Sequence, residues 1–314
     1  MQHIHDLGSI HLDGCGLTIG SFDGVHLGHQ SLVLSMVAHA NTAGLPSVVL
    51  TFYPHPSAVL RGRRPTFYIN SPEEKAILLG DLGVDCVITQ RFDHKLSQVS
   101  ADAFLDMLQI HTAFSHFWVG EDFALGHERE GDHHFLETAS ADRKFQLHVV
   151  PPVLLGEEVV SSTRIRQALR AGDVASVATY LGRTFTILGE VVAGSDRGKR
   201  LGFPTANLRV LEERAYPRSG VYACIAEVVG RHWPAVTNIG VRPTFEETQG
   251  VDTIETHLLD FNHDLYRQEM RLAFIDRLRD EQRFSSPEAL IAQIQTDVRR
   301  AREILDPLME MENA

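Results

Sequence analysis

One stretch constrains the N-terminal half of the chain more than any other: Gly20-Ser21-Phe22-Asp23-Gly24-Val25-His26-Leu27-Gly28-His29. It follows the apolar run Leu17-Thr18-Ile19 and precedes an apolar-periodic segment from Ser31 to Ala40. That is the pattern of a strand, a tight glycine turn and a helix start. Such a turn brings backbone N–H groups close to a guest, and the helix N-terminus adds partial positive charge. The expected guest is an anion, most simply a phosphate. His26 and His29 stand three apart, so both imidazoles can face that guest from the first helical turn. A glycine-rich turn alone is a weak signal, and a lone His is usually a surface residue. Two histidines directly behind Gly-x-Phe-Asp-Gly are more specific.

The elements that follow extend the same architecture. Strands are predicted at 17–19, 47–52, 86–89, 117–119 and 146–150, and helices over 28–40, from Ser71, from Ser100 through 108, over 132–139 and from Ser161. Ser71-Pro72-Glu73-Glu74 is a capping box with Pro at the first helical position. Tyr53-Pro54-His55-Pro56 reads as a rigid loop, because each Pro fixes its own φ and biases its predecessor away from helix. Strands alternating with helices imply right-handed crossovers and a parallel sheet. Ligands on such sheets sit at the carboxyl ends of the strands, near the point where strand order reverses.

The pattern changes after Gly182. Short β-like runs at 185–192, 221–228, 235–239, 253–259 and 270–274 are separated by Gly, Pro and Asn, as in a small antiparallel barrel. A final helix starts at Ser286-Pro287 and carries Leu290, Ile294, Val298, Ala301 and Leu305 on one face. Two domains are expected, 1–182 and 183–314, and 314 residues suffice for two cores.

Composition narrows the partners. The net charge of −12 is poorly suited to sequence-independent nucleic-acid binding, which depends on neutralising phosphates. No apolar run reaches membrane-spanning length and no signal-peptide pattern opens the chain, so no membrane partner is expected. Cys15, Cys86 and Cys224 lie far apart without metal-type spacing and read as reduced, mostly buried thiols of a cytoplasmic protein. His3/His5 and His133-His134 are metal-ligand types without partner ligands in the sequence.

Three further constellations carry chemistry, each with an ordinary alternative. Ser161-Ser162-Thr163-Arg164-Ile165-Arg166 puts hydroxyls and two Arg at a helix start. The Arg are either solvated charges or, since cations there oppose the macrodipole by about 0.3–1 kcal/mol each, part of an anion site that offsets this cost. The run from Gly194 through Gly198-Lys199-Arg200-Leu201-Gly202-Phe203-Pro204-Thr205-Ala206-Asn207 is not a P-loop, because Arg200 stands where Ser or Thr would hold magnesium. It is either a glycine hairpin with a turn-forming Asn or a phosphate loop in which Thr205 and Asn207 help hold a nucleotide's Mg²⁺. Glu255 lies in an alternating strand with Thr253 and His257 on its own face. It is either a surface acid or a general base on a polar interior face of the barrel.

In both halves and in order, the chain resembles the prokaryotic bifunctional riboflavin kinase/FMN adenylyltransferases, also called bifunctional FAD synthetases. Gly20–His29, the Thr51–Pro56 loop, 119–126 and 161–166 match the adenylyltransferase half, an H-x-G-H nucleotidyltransferase. Leu181-Gly182-Arg183, 198–208, 238–245 and 255–266 match the kinase half. The resemblance implies a Rossmann-like nucleotidyltransferase domain followed by a kinase barrel with a C-terminal helix. It implies ATP-dependent phosphorylation of riboflavin to FMN with Glu255 as base and Thr205 and Asn207 at Mg²⁺, then adenylyl transfer from ATP to FMN with His26 and His29 stabilising the transferring charge. Gly20, Phe22, Asp23, Gly24, Asp122, Ser162, Thr163, Arg166, Gly198, Lys199 and Gly202 would line the nucleotide and phosphate sites, and Thr51, Pro54 and His55 the flavin. Flavins are then substrates and products, and ATP, riboflavin and FMN the small-molecule partners. Tyr53 departs from the Glu common in the Thr-Phe-x-Pro-His-Pro loop, and Asn262-His263-Asp264-Leu265-Tyr266-Arg267 lacks glycines common in its turn. Two other readings follow: an enzyme with one live half, and a flavin- or RNA-binding regulator on an inactive scaffold, which the net acidity opposes.

Overall fold

The computed structural model describes residues 1–62, 67–194, 198, 201–211, 213–241 and 252–312. They form two compact units, Met1–Ser162 and Thr163–Ala314.

The first unit is built on a six-stranded parallel sheet. Its strands are β1 (Gln2–Ile4), β2 (Gly16–Ile19), β3 (Ser47–Tyr53), β4 (Cys86–Arg91), β5 (His116–Gly120) and β6 (Gln146–Val150), in the order β1-β4-β3-β2-β5-β6. Helices α1 (Leu27–Ala43) and α3 (Pro72–Asp81) cover one face, where Val33, Met36, Leu79, Val49, Val87 and Trp118 pack together. Helices α4 (Ala101–Thr112) and α5 (His133–Arg143) cover the other, against Leu17, Ile19, Leu50, Ile88, Phe117 and Val119. Strands buried on both faces explain the near-continuous apolar runs at 17–19 and 47–52. Each fully buried Val, Leu or Phe side chain contributes about 1.5–3 kcal/mol. The order reverses at β2, whose neighbours are β3 and β5, so the glycine turn after Ile19 leaves the sheet at its switch point.

Differences from expectation lie where local signals are short. β1, a three-residue strand parallel to β4, has no alternation to announce it. Pro56 begins a short helix, α2 (Pro56–Arg61), capped by the His55 side chain, so the expected loop ends one residue earlier. The capping box at Ser71 forms in full: Glu74 N–H donates to Ser71 Oγ and Ser71 N–H to the Glu74 carboxylate. Helices α4 and α5 run past the expected 108 and 139. A two-stranded ribbon, β7 (Leu154–Leu155) with β8 (Glu158–Val159), follows β6.

The second unit begins with α6 (Ser162–Ala171, its first residue in unit one) and α7 (Val174–Leu181). A closed antiparallel barrel follows: β9 (Phe185–Val192), β10 (Ala206–Arg209), β11 (Gly220–Val228), β12 (Arg231–Val241), β13 (Asp252–Leu258) and β14 (Glu269–Arg279), ordered β10-β13-β12-β11-β14-β9. β10 was legible only as loop chemistry. Phe185, Ile187, Tyr222, Phe274, Ile254 and Leu272 are buried within the strands. The last helix, α8 (Pro287–Glu312), lays Ala301 and Leu305 on Val221, Ala223, Val236 and Leu278. Asp297, 4% exposed, anchors it through Nε and Nη2 of Arg279 at 2.8–3.0 Å.

Of the two readings of Glu255, the structure excludes the interior face. Ile254, Thr256 and Leu258 are the buried residues of β13, so Glu255, Thr253 and His257 point to the barrel's outer side. The polar side of the alternation is outside because the small barrel's interior is filled by side chains.

Candidate functional site

The first candidate site gathers where β2, β3 and β5 end. The turn after β2 is strained: Phe22 and Val25, 3% and 1% exposed, hold φ of 45° and 41°. Left-handed backbone at a bulky or β-branched residue costs about 1–3 kcal/mol and persists only when its surroundings over-determine it. Here they do. The buried Asp23 carboxylate accepts N–H bonds from Ile69 (2.9 Å) and Asn70 (3.3 Å), and the Ser162 hydroxyl donates to the Asp23 carbonyl at 2.7 Å. Lys75, 6% exposed on α3, donates to the Ser21 carbonyl (2.9 Å) and to Thr51 Oγ1 (2.8 Å), and Thr51 also donates to Ser21. Burial pushes the Lys75 amine down to about 8, with Asp23 and Glu73 opposing.

The turn delivers two stacked imidazoles to the head of α1. His26 and His29 lie 3.6 Å apart between ring centroids at 18°, and His29 meets Phe22 edge-on at 5.2 Å. His26 Nδ1 accepts the His29 backbone N–H at 3.3 Å and so caps the helix, which puts the neutral ring's proton on Nε2. His29 keeps some exposure, but its Nδ1 is buried and, among the described residues, has no hydrogen-bond partner. Burial, then His26 and Lys75, hold the His29 imidazole well below its usual range. It is therefore a neutral hydrogen-bonding group at pH 7, suited to polarising phosphate oxygens rather than carrying a standing charge.

After β3, His55 N–H donates to the Tyr68 hydroxyl at 2.9 Å, and aromatic contacts link Tyr53 to Tyr68 (5.4 Å), Tyr68 to Phe67 (5.3 Å) and Phe67 to His55 (5.0 Å). Pro54 lies between, and Tyr53 is 39% exposed. Phe67 and Tyr68 are buried in this cluster, so Tyr53 is the aromatic ring it presents to a planar group. After β5, Asp122 is exposed, its carbonyl held by Arg129 at 2.7 Å.

The second candidate site is on the barrel's outer wall. Register places Asn207 of β10 and Asn238 of β12 beside Glu255 of β13, so three polar side chains cross adjacent strands in a row. Asn238 Nδ2 donates to Glu281 at 3.4 Å. Phe203 and Leu201 N–H groups both return to the Gly198 carbonyl (2.9 and 3.0 Å), and His257 meets the Pro204 carbonyl at 2.8 Å. A Cβ on Gly198 would come within 2.4 Å of the Phe203 carbonyl and 3.1 Å of Thr205 Oγ1, and one on Gly194 would strike the Asn207 amide at 2.0 Å. Only glycine leaves those two oxygen-bearing side chains where they are. Gly202 holds φ 86° in the same turn.

Stretches 9–164 and 181–305 match the family models for FAD synthetase and riboflavin kinase, respectively. Over 308 residues, 98% of each chain, the sequence is 39% identical to a bifunctional riboflavin kinase/FMN adenylyltransferase of Pseudomonas fluorescens. It is 37% identical over 307 residues, 96% of each, to that of Escherichia coli K12. The chain belongs to the bifunctional riboflavin kinase/FMN adenylyltransferase family. Its fold also matches a crystal structure described as a macrolide-efflux protein from Streptococcus pneumoniae, with TM-score 0.87 and 29% identity over 96% of this chain and 98% of that one. Among the described residues no helix is long and apolar enough to cross a membrane.

Within this family frame, the structure brings Gly20, Phe22, Asp23, Gly24, His26, His29 and Ser162 into one constellation and gives Asp23 and Ser162 protein partners inside it. Thr51, expected at the flavin, is fully buried beneath the turn with its hydroxyl engaged by Ser21 and Lys75. Thr163 is exposed and Arg166 buried on α6, in the second unit. Lys199 lies outside the described residues, as do Arg200 and 242–245. Sequence reasoning passed over Lys75 and named Asn238 only within the stretch 238–245. Lys75 looked like an ordinary helix charge, and only the packing of α3 onto the sheet buries it. Asn238 had a weak signal, a polar residue alternating with apolar Ile239 in a strand.

Proposed function

We propose that this chain makes FAD from riboflavin in two ATP-dependent steps, with the labour divided between residues 183–314 and 1–182. In the barrel region Glu255 takes the proton of the riboflavin 5′-hydroxyl as that oxygen attacks the γ-phosphorus of ATP, giving FMN and ADP. The row Asn207-Glu255-Asn238 supports this assignment, because register sets two amide-bearing residues on either side of the carboxylate on an accessible wall. Thr205 and Asn207 are neutral hard oxygens kept clear by Gly194 and Gly198, a donor set suited to Mg²⁺ arriving with nucleotide phosphates. Bound there, Mg²⁺ would neutralise phosphate charge. Gly198, Lys199 and Gly202 belong to the same phosphate loop.

In the N-terminal region the FMN phosphate, already ionised, attacks the α-phosphorus of a second ATP, and pyrophosphate leaves. No strong base is needed. His26 and His29 donate to the oxygens that gain charge, and Gly20, Gly24 and Asp122 border the nucleotide. Ser162, Thr163 and Arg166 serve the phosphates, while Pro54 and His55, with Tyr53 in place of a carboxylate, face the flavin. A cytoplasmic location belongs to the same proposal. The observation that carries the adenylyl assignment is the stacked His26–His29 pair at the head of α1 with a buried Nδ1 that has no partner among the described residues. Incubation with riboflavin, ATP and Mg²⁺, followed by chromatography of the flavins over time, tests it. FMN should appear first and FAD second. FMN alone would mean the N-terminal site is silent, with Tyr53 the first residue to restore to Glu. No flavin product from riboflavin or from FMN would overturn the proposal.

A further inference from the structure

At the other end of the parallel sheet, three histidines that share no sequence motif converge. His116 opens β5, His148 lies in β6, and His39 is in the last turns of α1. One ring nitrogen from each lies within 4.8 Å of the others. His116 Nδ1 and His148 Nε2 are 3.1 Å apart. His39 stands 4.5 Å from His116 and 5.2 Å from His148, centroid to centroid. Trp118 stacks flat on His148 at 4.2 Å and 8°, which fixes that ring's plane. His39 is exposed and the other two half-buried, so the group opens to solvent on one side.

We propose that His39, His116 and His148 form a binding site for one divalent transition-metal ion of the zinc, nickel, cobalt or copper type, with the fourth position open to solvent. Tetrahedral bonds of about 2.0–2.1 Å to imidazole set donor nitrogens about 3.4 Å apart. The His116–His148 pair already meets that spacing, and ring rotation of exposed His39 closes the rest. The ion takes the place of the proton between the two nitrogens, which moves to the far nitrogen of its own ring; no redox change is involved. Burial, and for each ring a neighbouring His, hold His116 and His148 below the ordinary imidazole range, so both offer lone pairs near pH 7. Three neutral nitrogens select borderline metals and reject Mg²⁺, which prefers oxygen. The site is thus chemically separate from the ion that accompanies ATP. It is also physically separate: His29 and His39 are ten positions apart on α1, about 15 Å along the axis. The bound ion would fasten the C-terminal end of that helix to β5 and β6.

The experiment uses full-length, untagged protein stripped with chelator and titrated with Zn²⁺ and Ni²⁺ by calorimetry, without nucleotide. Co²⁺ loading is followed by its visible ligand-field bands. One ion per chain is expected, with Mg²⁺ not competing, and with a higher melting temperature for the first unit on loading. His39→Ala and His116→Ala should each lower affinity by at least about 10–100-fold, the scale already set by losing outer-shell partners. His39→Ala, exposed and on a helix surface, should leave the apo fold and flavin turnover unchanged. A His3→Ala/His5→Ala variant should bind as the parent does. The proposal fails if no ion binds, if Mg²⁺ displaces it, or if His39→Ala and His116→Ala bind normally while the His3/His5 variant does not.

Discussion

The two candidate sites differ in how much of their chemistry is sealed in protein. In the first unit the groups stand at the carboxyl ends of parallel strands: His29 Nδ1 is buried, Lys75 is 6% exposed, and the turn carries left-handed backbone at Phe22 and Val25. On the barrel, Asn207, Glu255 and Asn238 are half-buried on an outer wall, because the interior is packed with side chains. Under the proposed division of labour, the difference suits the two reactions. Adenylyl transfer from an ionised phosphate asks for fixed dipoles aimed at developing charge, and those gain strength in a dry, rigid setting. Phosphorylation of an alcohol asks for a base within reach of a hydroxyl that arrives with the substrate, and a half-buried carboxylate on an outer wall is open to it.

The sharpest test of this contrast is reciprocal. His29→Ala should lower FAD formation from FMN by about 10²–10³ and leave FMN formation from riboflavin intact. Glu255→Gln should do the reverse, with a loss of about 10²–10⁴ in FMN formation. Chromatography of the flavins reads both. Equal loss of both activities in a folded His29→Ala variant would end the division of labour.

The next effect concerns stability of the barrel. Asp297→Ala leaves the Arg279 guanidinium without its carboxylate and should destabilise the second unit by about 3 kcal/mol. The sequence has two tryptophans, Trp118 in the first unit and Trp233 in the second, so Trp→Phe variants with one reporter each can follow the units separately in denaturant. A shift in the Trp118 transition instead of that of Trp233 would show that α8 does not anchor where it packs.

Lys75→Met should have a smaller effect in the opposite unit. It strips charged donors from Ser21 and Thr51, worth about 1.5–3 kcal/mol, and loosens the turn that presents His26 and His29. FAD formation should fall while FMN formation holds; unchanged FAD formation would make Lys75 a packing residue only.

The smallest effect is a pH slope. His29 has a lowered folded-state value, so below about 6.5 the unfolded chain binds a proton that the native state refuses. Stability is then lost as pH falls, by about 1.4 kcal/mol per unit from this group. For Lys75, the native state releases its proton near 8 while the unfolded chain holds it to 10.5, so stability rises with pH across that window. The Trp118 transition should show the acid slope, and His29→Asn should flatten it. An equal slope at Trp233 would remove the contrast in burial.

Much of this was legible along the chain. Strand β6 and barrel strand β9 fall where alternation and apolar runs placed them, and the Ser71 capping box closes as its spacing requires. The His26–His29 pair was legible because three residues on one helical turn settle their own proximity. For Glu255 the sequence left open whether it faces the interior or the surface, because alternation separates two faces without saying which one is inside; the barrel puts it outside.

The sequence by itself determined the order of elements, the two-part architecture and the motifs that lie within about ten residues, since periodicity, caps and turn chemistry act over that range. Tertiary structure alone decided that Lys75 is buried under the turn, that Asn238 and Asn207 flank Glu255, and that His39 meets His116 and His148. Those neighbours belong to different elements, and only strand order and register bring them together.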